Sequence, residues 1–138
     1  MSIDSSLSKQ WECSCDIELA LIKPIDENLL IFINSYVVEG YSVENKNDLG
    51  WGYVISKDEE WVGDRRKISD LICRFLSDIE AIILRVRDVR PKIDPILRIG
   101  LYYGSYTFTI NLLKESINKM ERAGVELELS LYPSLEDN

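Results

Sequence analysis

Between Arg65 and Pro91 the sequence carries a helical apolar stripe: Ile68, Leu71, Ile72, Phe75, Ile79, Ile82, Ile83 and Val86 recur at three- and four-residue steps over about five turns. A stripe of that length must be buried against an apolar surface of similar extent. The remaining segments supply one at the other period. From Trp11 to Ile22, Cys13, Cys15, Ile17, Leu19 and Leu21 alternate with Glu12, Ser14, Asp16, Glu18 and Ala20, the pattern of a half-buried strand that Pro24 ends.

Three further strands follow from the same period. Trp51, Tyr53 and Ile55 alternate with Gly52, Val54 and Ser56. Leu97, Ile99, Leu101 and Tyr103 alternate with Arg98, Gly100 and Tyr102. Val125, Leu127, Leu129 and Leu131 alternate with Glu126, Glu128, Ser130 and Tyr132, up to Pro133. Two shorter helices complete the set. Asp26 can cap one that carries Leu29, Leu30, Ile33 and Val37, and Thr109 can cap one that buries Leu112, Leu113, Ile117 and Met120 before an αL stop at Gly124. Gly40 to Gly50 reads as a loop and Lys57 to Glu60 as a turn.

The expected order is β-α-β-α-β-α-β in a single α+β domain spanning residues 1–138, with 1–10 and 134–138 as polar tails. One-sided alternation predicts a four-stranded, largely antiparallel sheet with three helices on one face, since doubly covered parallel strands read as continuous apolar runs.

The stretch Gly50-Trp51-Gly52-Tyr53-Val54-Ile55-Ser56, with the long helix containing Ile68, Leu71, Ile72 and Leu76, resembles the middle of the bacterial domain of unknown function 4279 family. The close is similar too: Tyr106-Thr107-Phe108-Thr109-Ile110-Asn111-Leu112-Leu113 leads to Gly124 and the alternating strand that ends at Tyr132. The likeness covers roughly the last two-thirds of the chain, while Pro24 to Asp48 departs from the family's usual short helix and Leu-Gly turn. The resemblance implies an α+β fold and bacterial origin and brings no catalytic residues. Small proteins of this kind stand beside bacterial toxin genes, which implies an immunity or antitoxin role by analogy.

Chemistry is narrowed by what the 138 residues lack. Histidine is absent, which removes imidazole acid/base catalysis, Ser-His and Cys-His pairs and imidazole metal sites. Cys13 and Cys15 stand in a C-x-C spacing that points to two small hydrophobes on one strand face, and a metal site would have to recruit Cys73 and carboxylates. No phosphate-loop glycine pattern occurs, and Asp58-Glu59-Glu60 lacks the spacing of a calcium loop and reads as a solvated turn. No catalytic residue, cofactor or metal is expected. The N-terminus has no secretory pattern and no apolar run is long enough to span a bilayer, so a cytoplasmic location without membrane attachment is expected.

Charge is more informative. The net −8 divides into −9 over residues 1–64, +4 over 65–98 and −3 over 99–138. The basic stretch Arg85, Arg87, Arg90, Lys92 and Arg98 is explained mostly by helix termination, and nucleic acid is not an expected partner. The acidic residues fall on outward strand positions. If the first and last strands are neighbours, Glu12, Asp16, Glu18, Glu126 and Glu128 crowd one open face beside Tyr102 and Tyr132. Those seven are the candidate partner-binding residues, for a basic protein such as a toxin domain; the bland alternative is that the charge only confers solubility. A second reading is a small-molecule or enzymatic pocket near Trp51, Tyr103 and Tyr106. Val54 and Ile96, expected to be exposed on the same face, leave a homodimer open.

Overall fold

A computed structural model describes residues 12–22, 27–36, 39–45, 51–89, 91, 95–104 and 110–133. The expectations placed on Pro24, Asp26, Tyr106, Thr109 and the two tails lie outside these residues.

The chain runs β1 (Glu12–Ile22), α1 (Glu27–Tyr36), β2 (Tyr41–Asn45), β3 (Trp51–Lys57), β4 (Trp61–Asp64), a 3-10 turn (Arg65–Lys67), α2 (Ile68–Val89), β5 (Pro95–Tyr103), α3 (Lys114–Ala123) and β6 (Glu126–Pro133). All six strands join one sheet of order β2-β3-β1-β5-β6, with β4 paired to β1 beside β3's place. β3 takes the C-terminal half of β1 and β4 takes its N-terminal half. β1, β2, β3, β4 and β5 pair antiparallel, whereas β6 lies parallel to β5.

The α+β class holds, but the four-stranded, largely antiparallel sheet does not: the sheet is mixed and has six strands. Two causes are visible. β2 and β4 are short and half polar, so their flanking turn residues outweigh a weak strand signal, and each is held in place by its neighbour. β5 is connected to β6 through α3, and a strand-helix-strand crossover returns the chain in the same direction. One-sided alternation arises here because the sheet is covered on one face, not because its strands are antiparallel.

The covered face is continuous. Cys13, Cys15, Ile17, Leu19 and Leu21 of β1, Tyr53 and Ile55 of β3, and Leu97, Ile99 and Leu101 of β5 form one cluster with Ile33 of α1, Met120 of α3 and the whole α2 stripe. Each such side chain contributes about 1.5–3 kcal/mol when fully buried, so the ten-odd largest dominate the hydrophobic term. Burial raises the Cys13 thiol to about 11 and the Cys15 thiol to about 12, so both behave as small hydrophobes. The cluster Ala20, Val54 and Ile96 lies on the other face. Register sets Ala20 between Val54 and Ile96, and the three form a small buried cluster. Val54 at 2% and Ile96 at 9% exposure therefore offer no apolar surface there, contrary to expectation.

α2 starts at Ile68, after a 3-10 turn over Arg65–Lys67. Asp64 accepts the Arg66 backbone N–H at 2.9 Å and caps the 3-10 turn that leads into the helix. α3 differs from expectation: it starts at Lys114, buries Met120, and leaves Leu113 and Ile117 each 48% exposed. Its first turn has no cap from its own N-cap residue, Leu113. The cap comes from α2 instead. Ser69 Oγ accepts the Leu113 N–H at 2.7 Å and lies 2.7 Å from Ser116 Oγ, which donates to the Leu113 carbonyl at 2.9 Å. The circuit closes when Ser69 donates to Ser116. Arg87 bonds the Ala123 carbonyl at the other end of α3, and Gly124 adopts φ 65°, the left-handed conformation that stops the helix. No helix among the described residues is long and apolar enough to cross a membrane.

Ser69→Ala removes a buried hydroxyl that serves both an orphan helix N–H and a buried serine. The expected loss is about 1–3 kcal/mol of unfolding free energy, read by urea denaturation. A change within a few tenths of a kcal/mol would show that the circuit adds nothing.

Candidate functional site

The uncovered face of β1, β5 and β6 holds the acidic and aromatic residues, and register arranges them in rows. Glu18, Arg98 and Glu128 form one row; Asp16, Gly100 and Ser130 the next; Ser14, Tyr102 and Tyr132 the third. Asp16, Glu18, Arg98, Tyr102, Glu128 and Tyr132 line a single shallow depression of about 220 Å³. Five of the seven expected residues are thus brought together. Glu126 is exposed one row beyond, opposite Ile96, and Glu12 is exposed near the other end of β1, beside a hollow that also contains Tyr102.

The first and last strands are not neighbours, because β5 lies between them. The expected crowding of carboxylates is therefore corrected. Arg98 stands between the two flanking strands, its Nε donating to Glu128 Oε1 at 3.1 Å and its Nη1 pairing with Glu18 Oε1 at 3.5 Å. These half-exposed ion pairs contribute about 0–1 kcal/mol each, with the larger effect being relief of repulsion across the sheet. The face keeps four more carboxylates than cations, counting Glu12, Asp16, Glu18, Glu126 and Glu128 against Arg98.

The aromatic part is equally ordered. The Tyr102 and Tyr132 rings stack 4.8 Å apart at 13°, and the Tyr102 hydroxyl donates to Asp16 Oδ2 at 2.9 Å. Both rings lie over Gly100: a Cβ there would meet Tyr132 at 3.4 Å and Tyr102 at 3.7 Å, ordinary van der Waals contact. The hydrogen bond to Asp16, more than burial, pushes the Tyr102 phenol up to about 12. At neutral pH it stays a donor and fixes the ring over the depression.

Sequence reasoning passed over Arg98 and Gly100. Arg98 was grouped with the cations at the end of the long helix, although the alternation Arg98, Gly100, Tyr102 already placed all three on the outward face. The missing information was which strands flank β5.

The second expected pocket does not assemble. Trp51 pairs with Ile22 at one end of β1, whereas Tyr102, next to Tyr103, pairs with Ser14 at the other, about 26 Å away along the strand. Tyr103 packs against the core cluster, and Tyr106 lies outside the described residues. A separate acidic hollow of about 630 Å³ gathers Glu39, Asp58, Glu59, Glu60 and Asp78 with Lys57. Tyr41 donates to Asp78 there at 2.7 Å. Among the described residues no group of three or more acidic or sulfur side chains is arranged to hold a metal ion.

Tyr102 yields a pH prediction. Its folded-state pKa is raised above the ordinary 10, so its contribution to stability is complete below pH 10 and is lost as pH rises towards about 12. Alkaline titration followed by phenolate absorbance should show that Tyr102→Phe loses its one phenol from the late-ionising part of the curve, near pH 12, and a loss from the part that ionises near pH 10 would contradict the Asp16 hydrogen bond.

No known family, curated protein or solved structure matches the chain, so what the open face can do is argued from its own geometry.

Proposed function

We propose that the protein is a non-enzymatic, cytoplasmic binding protein that engages a basic protein partner through the open face of β1, β5 and β6, and that the partner is a cationic bacterial toxin domain. The observation that carries this reading is a row-ordered acidic face, uncovered by any of the three helices, with a stacked tyrosine pair beside it. Carboxylates at this density steer a cationic partner and raise its association rate above the roughly 10⁵–10⁶ M⁻¹s⁻¹ of unsteered encounters. Tyr102 and Tyr132 add broad contact surface that is already ordered, so little side-chain entropy is lost on binding.

A nuclease toxin must be cationic to grip phosphate, and an acidic face is the complement of such a surface. The resemblance to the bacterial domain of unknown function 4279 family supplies the immunity context by analogy. The shallow depression, near 220 Å³ and bounded mostly by charged and phenolic groups, suits a protein surface better than an enclosed small ligand, which wants a deeper and more apolar cavity.

The test begins with the neighbouring gene: a cationic toxin domain encoded there is the expected partner and is the one assayed, and a neighbour of another class would overturn the toxin reading. Glu12→Lys with Glu126→Lys reverses two exposed charges outside the Arg98 row and leaves the ion pairs intact. The expected result is at least a roughly tenfold weaker Kd at low salt and a flatter dependence of association rate on ionic strength. Equal affinity at low salt would sink the assignment of the open face.

A further inference from the structure

β6 is the edge strand beyond β5, and among the described residues no strand pairs with its outer side. Its apolar face is only about half covered. Leu127, Leu129 and Leu131 point to the helix-bearing side, in register with Leu97, Ile99 and Leu101, which are 0–2% exposed. The three leucines of β6 are nevertheless 36%, 39% and 52% exposed. The cover thins at the last strand, leaving a backbone edge and a half-exposed leucine stripe side by side. An edge of this kind invites another strand, and natural edges are usually blunted by cations, bulges or proline. β6 contains no Lys or Arg, and its one proline, Pro133, stands at its end.

We propose that β6 pairs antiparallel with β6 of a second copy of this chain about a two-fold axis at Leu129. The self-complementarity of the strand argues for this occupant and this register. Centred on Leu129, the pairing sets Leu129 against Leu129, Leu127 against Leu131, Glu128 against Ser130 and Glu126 against Tyr132. Six leucines then form one stripe, and no carboxylate faces a carboxylate. Moving the axis one residue towards the N-terminus sets Glu128 against Glu128 and loses one of the leucine pairings. Moving it one residue towards the C-terminus sets Leu127 against Pro133. Such a contact is isologous, so it closes at two copies and consumes the edge that would otherwise propagate. Glu128 is held by Arg98 of its own chain, which leaves the Ser130 side of the axis free of repulsion. In the dimer the two open faces become one continuous surface.

The proposal stands apart from the toxin-binding reading, and its test needs no partner. Sedimentation of the full chain from low micromolar concentration upward should show a shift from the mass of one chain to that of two. Leu129→Lys places two ammonium groups on the axis and should weaken association at least roughly tenfold. Its circular dichroism melt checks that the monomer still folds.

A cross-linking arm reads the register. In a Cys73→Ser background, Leu129→Cys should yield a disulfide-linked dimer under mild oxidation, because residues directly opposite have Cα atoms about 4.5–5.5 Å apart. Leu127→Cys should not, since its own copy lies four residues along the strand, about 13 Å away. A monomer at every soluble concentration, a dimer untouched by Leu129→Lys, or cross-linking equal at the two positions would each overturn the proposal.

Discussion

β1 is the strand on which the sheet is hung. β3 and β4 occupy one of its sides end to end and β5 the other, so three of the remaining five strands take their register from it. Its alternation is correspondingly strict: Cys13, Cys15, Ile17, Leu19 and Leu21 are at most 4% exposed, while Glu12 and Asp16 face water and Glu18 is half-buried in its ion pair. A slip of one residue against β5 would turn Asp16 and Glu18 towards α2 and five apolar side chains outward. Burying even one unpaired carboxylate costs several kcal/mol, so the slipped state is excluded by charge as firmly as by lost hydrophobic burial. The same alternation that pins the core therefore also fixes where the acidic face lies.

Strong periodicity made parts of this legible in the sequence. The α2 stripe, the two faces of β1, and the outward positions of Glu126, Glu128, Tyr102 and Tyr132 all follow from spacing alone. What spacing cannot supply is lateral order. β2 has Ser42, Glu44 and Asn45 in five residues and β4 has only four residues, so their strand conformation is imposed by Tyr41 and Val43 packing on the core and by pairing with β3 and β1. Ile117 fits a helical apolar stripe, yet α3 meets α2 through Ser116 and Met120, one position round the helix, and Ile117 is left outside. The candidate site suffered the same gap. Its anions and tyrosines were visible, but Arg98 became its centre only when β5 proved to separate β1 from β6.

The parallel placement of β6 links the two surfaces of the molecule. With β6 against β1, Glu18 and Glu128 would have faced each other directly; with β5 between them, Arg98 pairs with both and the face can stay acidic without strong internal repulsion. The crossover helix that makes β6 parallel then decides how well β6 is covered. α3 is tied to α2 along its length, by Ser69 at its start, by Lys119 to Ser77 at 2.8 Å in its middle and by Arg87 at its end. Those three anchors hold it against α2. A ten-residue helix held there cannot also shield the outermost strand, so the half-exposed leucines of β6 follow from the same polar contacts that secure α3.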